Sequence, residues 1–339
     1  MRHPSHELFR VRERADVGAA RRAADRMAQA AGMPPRAIEP ARIALTELGS
    51  NLHLHGQDGY LLLRPVDDPP GLEVVAVDRG PGVADPTRAL AGATTASAGL
   101  GVGLGSVARL ATSFDLYTEV EEGTVVLARF ALDRPGGTPP PGPRAGGVSV
   151  AAVAGDANGD GWAVVHDDLG CSALVVDGLG HGPPAHEASR AALAAFDAEY
   201  DGDLCGWLQT AHAAMRRTRG GVAAAAKIDR AKRRVWFAGV GNVQGRVVAE
   251  GQSWGLASHP GMLGTEHQAP RPRLLDLPWP RGAALILWSD GLRSDTSLGL
   301  DGARLAHDPT VVAALLHRDS ARGNDDATVV VVQDRADGP

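Results

Sequence analysis

Cys171-Ser-Ala-Leu-Val-Val-Asp177-Gly178-Leu-Gly-His-Gly182 is an apolar, strand-like run that stops on an acid and passes into a glycine-rich turn. A carboxylate at the end of a buried strand is costly unless something neutralises it. The same grammar recurs on both sides. Val148-Ser-Val-Ala-Ala-Val-Ala-Gly155-Asp156 runs into an acid, and so does Ala284-Leu-Ile-Leu-Trp-Ser-Asp290-Gly291. Asn324-Asp325-Asp326 precedes the valine run that ends at Val332. Any one Asp-Gly pair reads as a turn. Four acids attached to buried strands of one segment point to convergence, and converging carboxylates repel unless hard divalent cations sit among them. A pair of such ions suits phosphoryl chemistry. Asp156-Ala-Asn-Gly-Asp160-Gly161 also matches the opening of an EF-hand loop, but its flanks are strand-like and its twelfth residue, Asp167, is not Glu. Asp160-Gly161 reads as a hairpin turn.

Upstream, Arg134 to Gly147 carries five prolines and no apolar period, the composition of a stiff linker. It divides the 339 residues into an expected domain over 1–133, a linker over 134–147 and a second domain over 148–335. The second half reads as many strands around two central helices, Ala185–Tyr200 and Leu204–Arg217. The first half reads as two helices (Ala15–Ala31, Ile38–His55), two strands, a glycine-rich loop, a short helix from Val102 to Ala111 and a closing hairpin, a two-layer α/β sandwich.

Bulk properties exclude several classes. Hydrophobic residues make up 44% and charged residues 22%, which argues against disorder. The net charge of -6 comes without a basic tract, so nucleic acid is not an expected partner. Two cysteines without ligand spacing exclude a disulfide framework. The opening Met1-Arg-His-Pro-Ser-His-Glu lacks the apolar core of a secretory signal, and no run reaches the ~18 apolar residues of a membrane span. A soluble, cytoplasmic protein is expected.

The N-terminal half carries its own constellation. Glu47, Asn51 and His55 recur every four residues along one helix face, which alone describes a solvated stripe. Val74-Val-Ala-Val77 then runs into Asp78-Arg-Gly80-Pro-Gly82, which puts a hydrogen-bond acceptor at a strand end. Gly99-Leu-Gly101-Val-Gly103-Leu-Gly105 leads into a helix, where exposed N–H groups favour phosphate. Neither the lysine of a P-loop nor the strand-loop order of a Rossmann unit is present.

In this order the three segments resemble the GHKL ATPases, the group of gyrase, Hsp90, histidine kinases and anti-sigma-factor serine kinases. Glu47-Leu-Gly-Ser-Asn51 is similar to the N box, Asp78–Gly82 to the G1 box, Gly99–Gly105 to the G2 box, and Gly123-Thr124 to the late adenine-binding pair. The resemblance implies ATP and Mg²⁺ as cofactors. Asn51 would hold Mg²⁺, Asp78 and Thr124 would bind adenine, and Gly80, Gly82, Gly99, Gly101, Gly103 and Gly105 would line the nucleotide. Glu47 would be the general base toward a substrate hydroxyl. Within the group the likeness is greatest to serine kinases of stressosome and sigma-factor switches.

The second half resembles the SpoIIE-type branch of the PPM (type 2C) protein phosphatases, on Asp177-Gly-Leu-Gly-His-Gly182, Gly239-Val-Gly-Asn242, Ser289-Asp-Gly291 and Asp325-Asp-Ala-Thr328. The resemblance implies two Mn²⁺ or Mg²⁺ ions, bridged by Asp177 with the Gly178 carbonyl, and completed by Asp156, Asp290 and Asp325. Asp326 and His181 receive no assigned role. Together the two resemblances imply a GHKL α/β sandwich of the Bergerat type followed by a PPM αββα sandwich. They imply a bifunctional regulator with a STAS-domain phosphoprotein, a sigma factor or a stressosome component as partner. The alternative is an N-terminal domain that grips its partner in an ATP-dependent way without kinase turnover.

Overall fold

In the computed structural model, residues 2–67, 69–91, 103–132, 142–265, 267–293 and 299–334 are described. The chain divides into two compact units, His6–Pro139 and Met1–Ser5 with Pro140–Pro339. The elements of the first part of the chain are β1 (Arg2–His3), β2 (Glu7–Arg10), α1 (Arg14–Ala30), α2 (Glu39–His55), β3 (Tyr60–Asp67), β4 (Pro70–Asp78), α3 (Pro86–Leu90), α4 (Gly103–Leu110), β5 (Ser113–Glu119) and β6 (Gly123–Ala131).

In the first unit an antiparallel sheet runs in the order β2-β3-β4-β6-β5. Alternation sends Leu61, Leu63, Leu72, Val74, Ala76, Val126, Ala128 and Phe130 into a core shared with the helices. On α2 the buried positions are Ala41, Ala44, Leu45, Leu48, Gly49 and Leu52, the spacing of a single helix face. That face fixes the rotation of α2 and leaves Glu47 and Asn51 half-buried on its flank. Helix α1 starts with a capping box in which the Asp16 carboxylate accepts from the backbone of Glu13 (2.9 Å) and Arg12 (2.8 Å). Strand β2 is an addition to the sequence reading, because four residues are too few to show a period.

The second unit continues with β7 (Arg144–Val150), β8 (Asp160–His166), β9 (Gly170–Gly178), α5 (Pro183–Glu199), α6 (Leu204–Met215), β10 (Gly221–Asp229), β11 (Arg234–Val240), β12 (Gln244–Ala249), β13 (Gln252–Ala257), β14 (Leu275–Pro278), β15 (Ala284–Trp288), α7 (Gly302–Leu305), α8 (Pro309–Ser320) and β16 (Ala327–Gln333). A six-stranded sheet, β1-β8-β9-β10-β11-β14, faces a five-stranded sheet, β13-β12-β15-β16-β7. Helices α5 and α6 cover the outer face of the first, and α8 lies on β7 and β16 of the second. This is the αββα arrangement expected from the sequence. The alanines of β10 serve both layers. Ala224 and Ala226 point between the sheets, while Ala223 and Ala225 point to the helices. Small side chains there let the layers approach, and Trp162, Phe237, Phe196 and Trp207 fill the space on either side. Phe196 stacks on Tyr200 at 4.3 Å and meets Trp207 edge-on at 5.6 Å.

Three sequence expectations are corrected here. Arg144 to Gly147 belong to β7 and not to a linker. They pair with β16 from Gln333↔Arg144 to Val330↔Gly147. Glycine is needed at 147 because a Cβ would lie 2.7 Å from the Val329 carbonyl and 3.0 Å from the Trp162 ring. A sheet position that excludes side chains is compositionally indistinguishable from a flexible segment. Strand β7 also stops at Val150 and does not reach Val153, so Asp156 falls in a turn and is exposed. Asp160-Gly161, expected as a hairpin turn, opens β8 instead, paired with Asp177 and Val176.

Candidate functional site

The ends of four strands bring the acids of the second unit together. Asp177, the penultimate residue of β9, sits directly opposite Asp160, the first residue of β8, so both side chains leave the same face. In the facing sheet, Trp288 at the end of β15 pairs with Val329 near the start of β16. That register places Ser289-Asp290 beside Asp325-Asp326.

A buried polar chain couples the two sheets. The Ser289 hydroxyl donates to Asp160 Oδ2 (2.6 Å) and accepts from the Thr328 backbone N–H (3.0 Å). Thr328 Oγ1 and Ser149 Oγ lie 2.7 Å apart, Asn158 Nδ2 donates to Ser149 Oγ (2.9 Å), and Asn158 Oδ1 accepts from the Asp160 backbone N–H (2.9 Å). Asp326, also buried, accepts from the backbone N–H of Ala152 and of Gly159, both at 2.7 Å. It holds the loop between β7 and β8 and so positions Asp160. Asn242 Nδ2 donates to Asp290 Oδ2 (2.7 Å). Gly178 is close-packed on α5: a Cβ there would collide with the Ala185 carbonyl.

The electrostatics follow from burial and from like charges close together. Burial, then the charges of Asp160, Asp290 and Asp325, push the Asp177 carboxyl up to about 9. Burial pushes Asp160 up to about 7, against the hydrogen bonds from Ser289 and Thr328 and with the help of Asp326 and Asp290. Asp325 is also raised, by burial first and then by Asp290 and Asp326, while His181 pulls it back. The loop after Gly178 therefore carries His181 to the edge of the cluster. Among the described residues no three His, Cys, Asp or Glu side chains are drawn together tightly enough to hold an ion. The donor chemistry does fit a hard divalent cation: carboxylates with a nearby backbone carbonyl, no basic side chain among them, and protons retained where positive charge is wanted.

Of the residues expected as ligands, Asp177, Gly178, Asp290 and Asp325 share this region. Asp156 is exposed and lies beside Gly182, its Oδ2 about 3.2 Å from where a Cβ on that glycine would be. Asp160, not expected as a ligand, stands opposite Asp177. The available signal was the strand Trp162-Ala-Val-Val that begins just after Asp160. Periodicity could not show that the strand starts on the acid itself.

In the first unit α2, the end of β4 and the start of β6 meet. Asp78 pairs across the sheet with Thr124, and its Oδ1 accepts from the Gly80 N–H (2.7 Å). Thr124 is buried with its hydroxyl 3.2 Å from that of Thr118, which accepts from the Val83 N–H (2.8 Å). The Gly80–Gly82 turn follows β4 and packs on the end of α2 near His55. Gly103 and Gly105 lie in the first turn of α4, and the Gly103 N–H donates to Glu47 Oε2 at 3.2 Å. The Asn51 amide makes no hydrogen bond with a described residue. Gly99 and Gly101 lie outside the described residues.

No described helix is long and apolar enough to cross a membrane. Residues 11–130 match the family model of the histidine kinase-like ATPase domain, and residues 167–335 match stage II sporulation protein E (SpoIIE). The serine/threonine-protein kinase RsbT of Bacillus subtilis (strain 168) is 34% identical over 117 residues, 33% of this chain and 86% of that protein. A solved structure described as the bacterial stressosome, a modular system adapted to control secondary messenger signalling, is 26% identical. It covers 56% of this chain and 98% of its own, with a TM-score of 0.51. The structure of RsbX in complex with magnesium covers 58% and 98% at 21% identity and a TM-score of 0.51, a likeness of fold.

Proposed function

We propose, for a chain that belongs to the histidine kinase-like ATPase family over residues 11–130 and carries a SpoIIE domain over residues 167–335, opposed phosphate chemistry on one partner protein: a divalent-metal-dependent serine/threonine phosphatase joined to an ATP-binding, serine-kinase-like domain. The observation that carries the phosphatase half is the cluster of buried and half-buried acids, with Asp177 pushed up to about 9. Asp177, Asp160, Asp290, Asp325 and the Gly178 carbonyl would hold two Mn²⁺ or Mg²⁺ ions. When bound, such ions neutralise phosphoryl oxygens and make water a stronger nucleophile. The protein's own contribution is placement. Ser289 donates to Asp160 and fixes its rotamer, Asn242 orients Asp290, and Asp326 holds the loop that carries Asp160. The overall change is hydrolysis of a phosphomonoester, water supplying the oxygen and proton that separate phosphate from the seryl or threonyl hydroxyl. The partner proposed is a STAS-domain phosphoprotein of a sigma-factor or stressosome switch, in the cytoplasm, because the kinase-like half is similar to RsbT.

The test follows [³²P]phosphate on candidate STAS proteins. Mn²⁺- or Mg²⁺-dependent release that stops with EDTA is expected, and no release with either ion overturns the phosphatase reading.

In the first unit ATP and Mg²⁺ would be bound by Asp78, Thr124, Asn51 and the glycine segments. A specific contact favours a second reading of this half. The Glu47 carboxylate, expected as a general base, accepts from the first N–H of α4. That position suits a helix-capping group which senses the nucleotide loop. The reading is an ATP-dependent docking module without turnover. Glu47→Ala separates the two: abolished transfer with retained ATP binding supports catalysis, whereas unchanged partner phosphorylation supports docking.

A further inference from the structure

The acid cluster answers how positive ions are held, and leaves open which protein cation meets the incoming phosphoryl group. Among the described residues, Arg219, Arg293 and Arg322 belong to segments that adjoin it. Arg293 donates to the Asp319 carbonyl and Arg322 Nε to the Leu292 carbonyl (3.3 Å), so both serve the backbone beyond β15. Arg219 is different. It lies in the turn between α6 and β10, two residues before Gly221, which pairs with Gly178, while the next residue, Val222, pairs with Asp177. The Leu179 N–H donates to the Gly220 carbonyl (3.0 Å), tying that turn to the loop after Asp177. The Arg219 Nη1 lies 3.3 Å from where a Cβ on Gly180 would be. The side chain is exposed and makes no hydrogen bond or ion pair with any described residue, although the most acidic part of the unit begins one strand end away.

We propose that Arg219 is the phosphoryl-binding cation of this site, its guanidinium donating to non-bridging oxygens of a phosphomonoester held over the Gly178–Gly182 loop. The inference rests on the phosphatase reading above. A planar guanidinium presents two parallel N–H donors that match two phosphoryl oxygens, geometry that a metal ion does not supply. Its freedom from carboxylate partners leaves those donors available. Gly180 is part of the same device: its φ of +86° and missing side chain keep the loop surface open beneath the guanidinium. The position also explains why the cation stands on the β10 side. Asp160 and Asp177 stand on the paired ends of β8 and β9, Asp290 and Asp325 lie just beyond β15 and just before β16, and a cation among them would compete for the acids that the ions need.

The test uses the full chain with Mn²⁺, p-nitrophenyl phosphate as a small substrate and inorganic phosphate as a product ligand. Arg219→Ala is expected to lower kcat/KM for p-nitrophenyl phosphate by about 10- to 100-fold, the loss of one or two charge-assisted hydrogen bonds. It is expected to weaken inorganic phosphate, measured both as an inhibitor and by calorimetry, by a similar factor. The Mn²⁺ activation constant stays unchanged. Arg219→Lys restores part of the phosphate affinity, as a point charge without the fork. Arg219→Gln, which keeps the side-chain volume, behaves as Ala does and covers the case in which the smaller side chain disturbs the turn. Wild-type values for both kcat/KM and phosphate affinity in the Ala and Gln variants overturn the inference while the phosphatase reading stands. A loss confined to phosphoprotein substrates also overturns it, because the guanidinium would then be reading the protein body. An inactive wild-type chain with Mn²⁺ overturns the phosphatase reading and this inference with it.

Discussion

Each half of the chain buries charge, and the two halves do so in opposite ways. In the first unit Glu73 of β4 is fully buried between Arg64 of β3 and Arg129 of β6, with His6 Nε2 at 3.2 Å from Oε1 and Arg129 Nε at 2.7 Å from Oε2. Burial pushes its carboxyl up, but the two guanidinium groups and the hydrogen bonds from His6 and Arg64 outweigh it and hold it well below the usual range. In the second unit Asp177 is half-buried and Asp160 buried, the charges that act on them are those of other acids, and both are pushed up, to about 9 and about 7. A buried charge matched by opposite charges on adjacent strands is part of the framework. A buried cluster of one sign has an unmet requirement, and that requirement marks the site.

The comparison can be broken most directly at Asp177. Asp177→Asn is expected to cut metal-dependent phosphate release by about 10²-fold or more, while the metal-free protein melts no lower than wild type, because a neutral amide relieves a repulsive cluster. A melting temperature that falls steeply would show that Asp177 is structural, as Glu73 is. Asp160→Asn should share the loss of activity, and Asp156→Asn should stay close to wild type; the reverse order in a phosphate-release assay would restore Asp156 to the site.

Glu73→Gln should act the other way, costing about 3–5 kcal/mol in denaturant unfolding of the first unit by removing the buried negative charge that faces Arg64 and Arg129, with phosphatase turnover kept. The pH dependence has a definite sign. The folded pKa of Glu73 lies below its ordinary 4.5, so the folded chain binds fewer protons there than the unfolded one. The stabilisation is complete above about pH 4.5 and is lost as pH falls toward the folded value. Glu73→Gln removes that acid-side slope, which a pH series of melting curves reads directly.

The smallest effect is expected at Asn242→Ala, where loss of one hydrogen bond to Asp290 should lower kcat/KM about 3- to 10-fold. A larger loss, near that of Asp177→Asn, would mean that Asn242 touches the substrate as well as orienting Asp290.

Much of this molecule was set by local rules. Strong apolar periods placed α1, α2 and most strands within a few residues, because alternation and 3.6-residue spacing are properties of consecutive residues. The acid-tipped runs ending at Asp177 and Asp290 announced a site by the same means. Register lies beyond such rules. Only the pairing of β8 with β9 set Asp160 opposite Asp177 and left Asp156 in a turn, and only the pairing of β7 with β16 drew Arg144–Gly147 into a sheet. The contact between Arg219 and the Gly180 loop, and the match of Glu73 to Arg64 and Arg129, likewise join residues distant in the chain. One chain position can be turn, strand or site according to which neighbour packs against it, and that choice is made by side-chain volume, backbone hydrogen bonding and charge across strands.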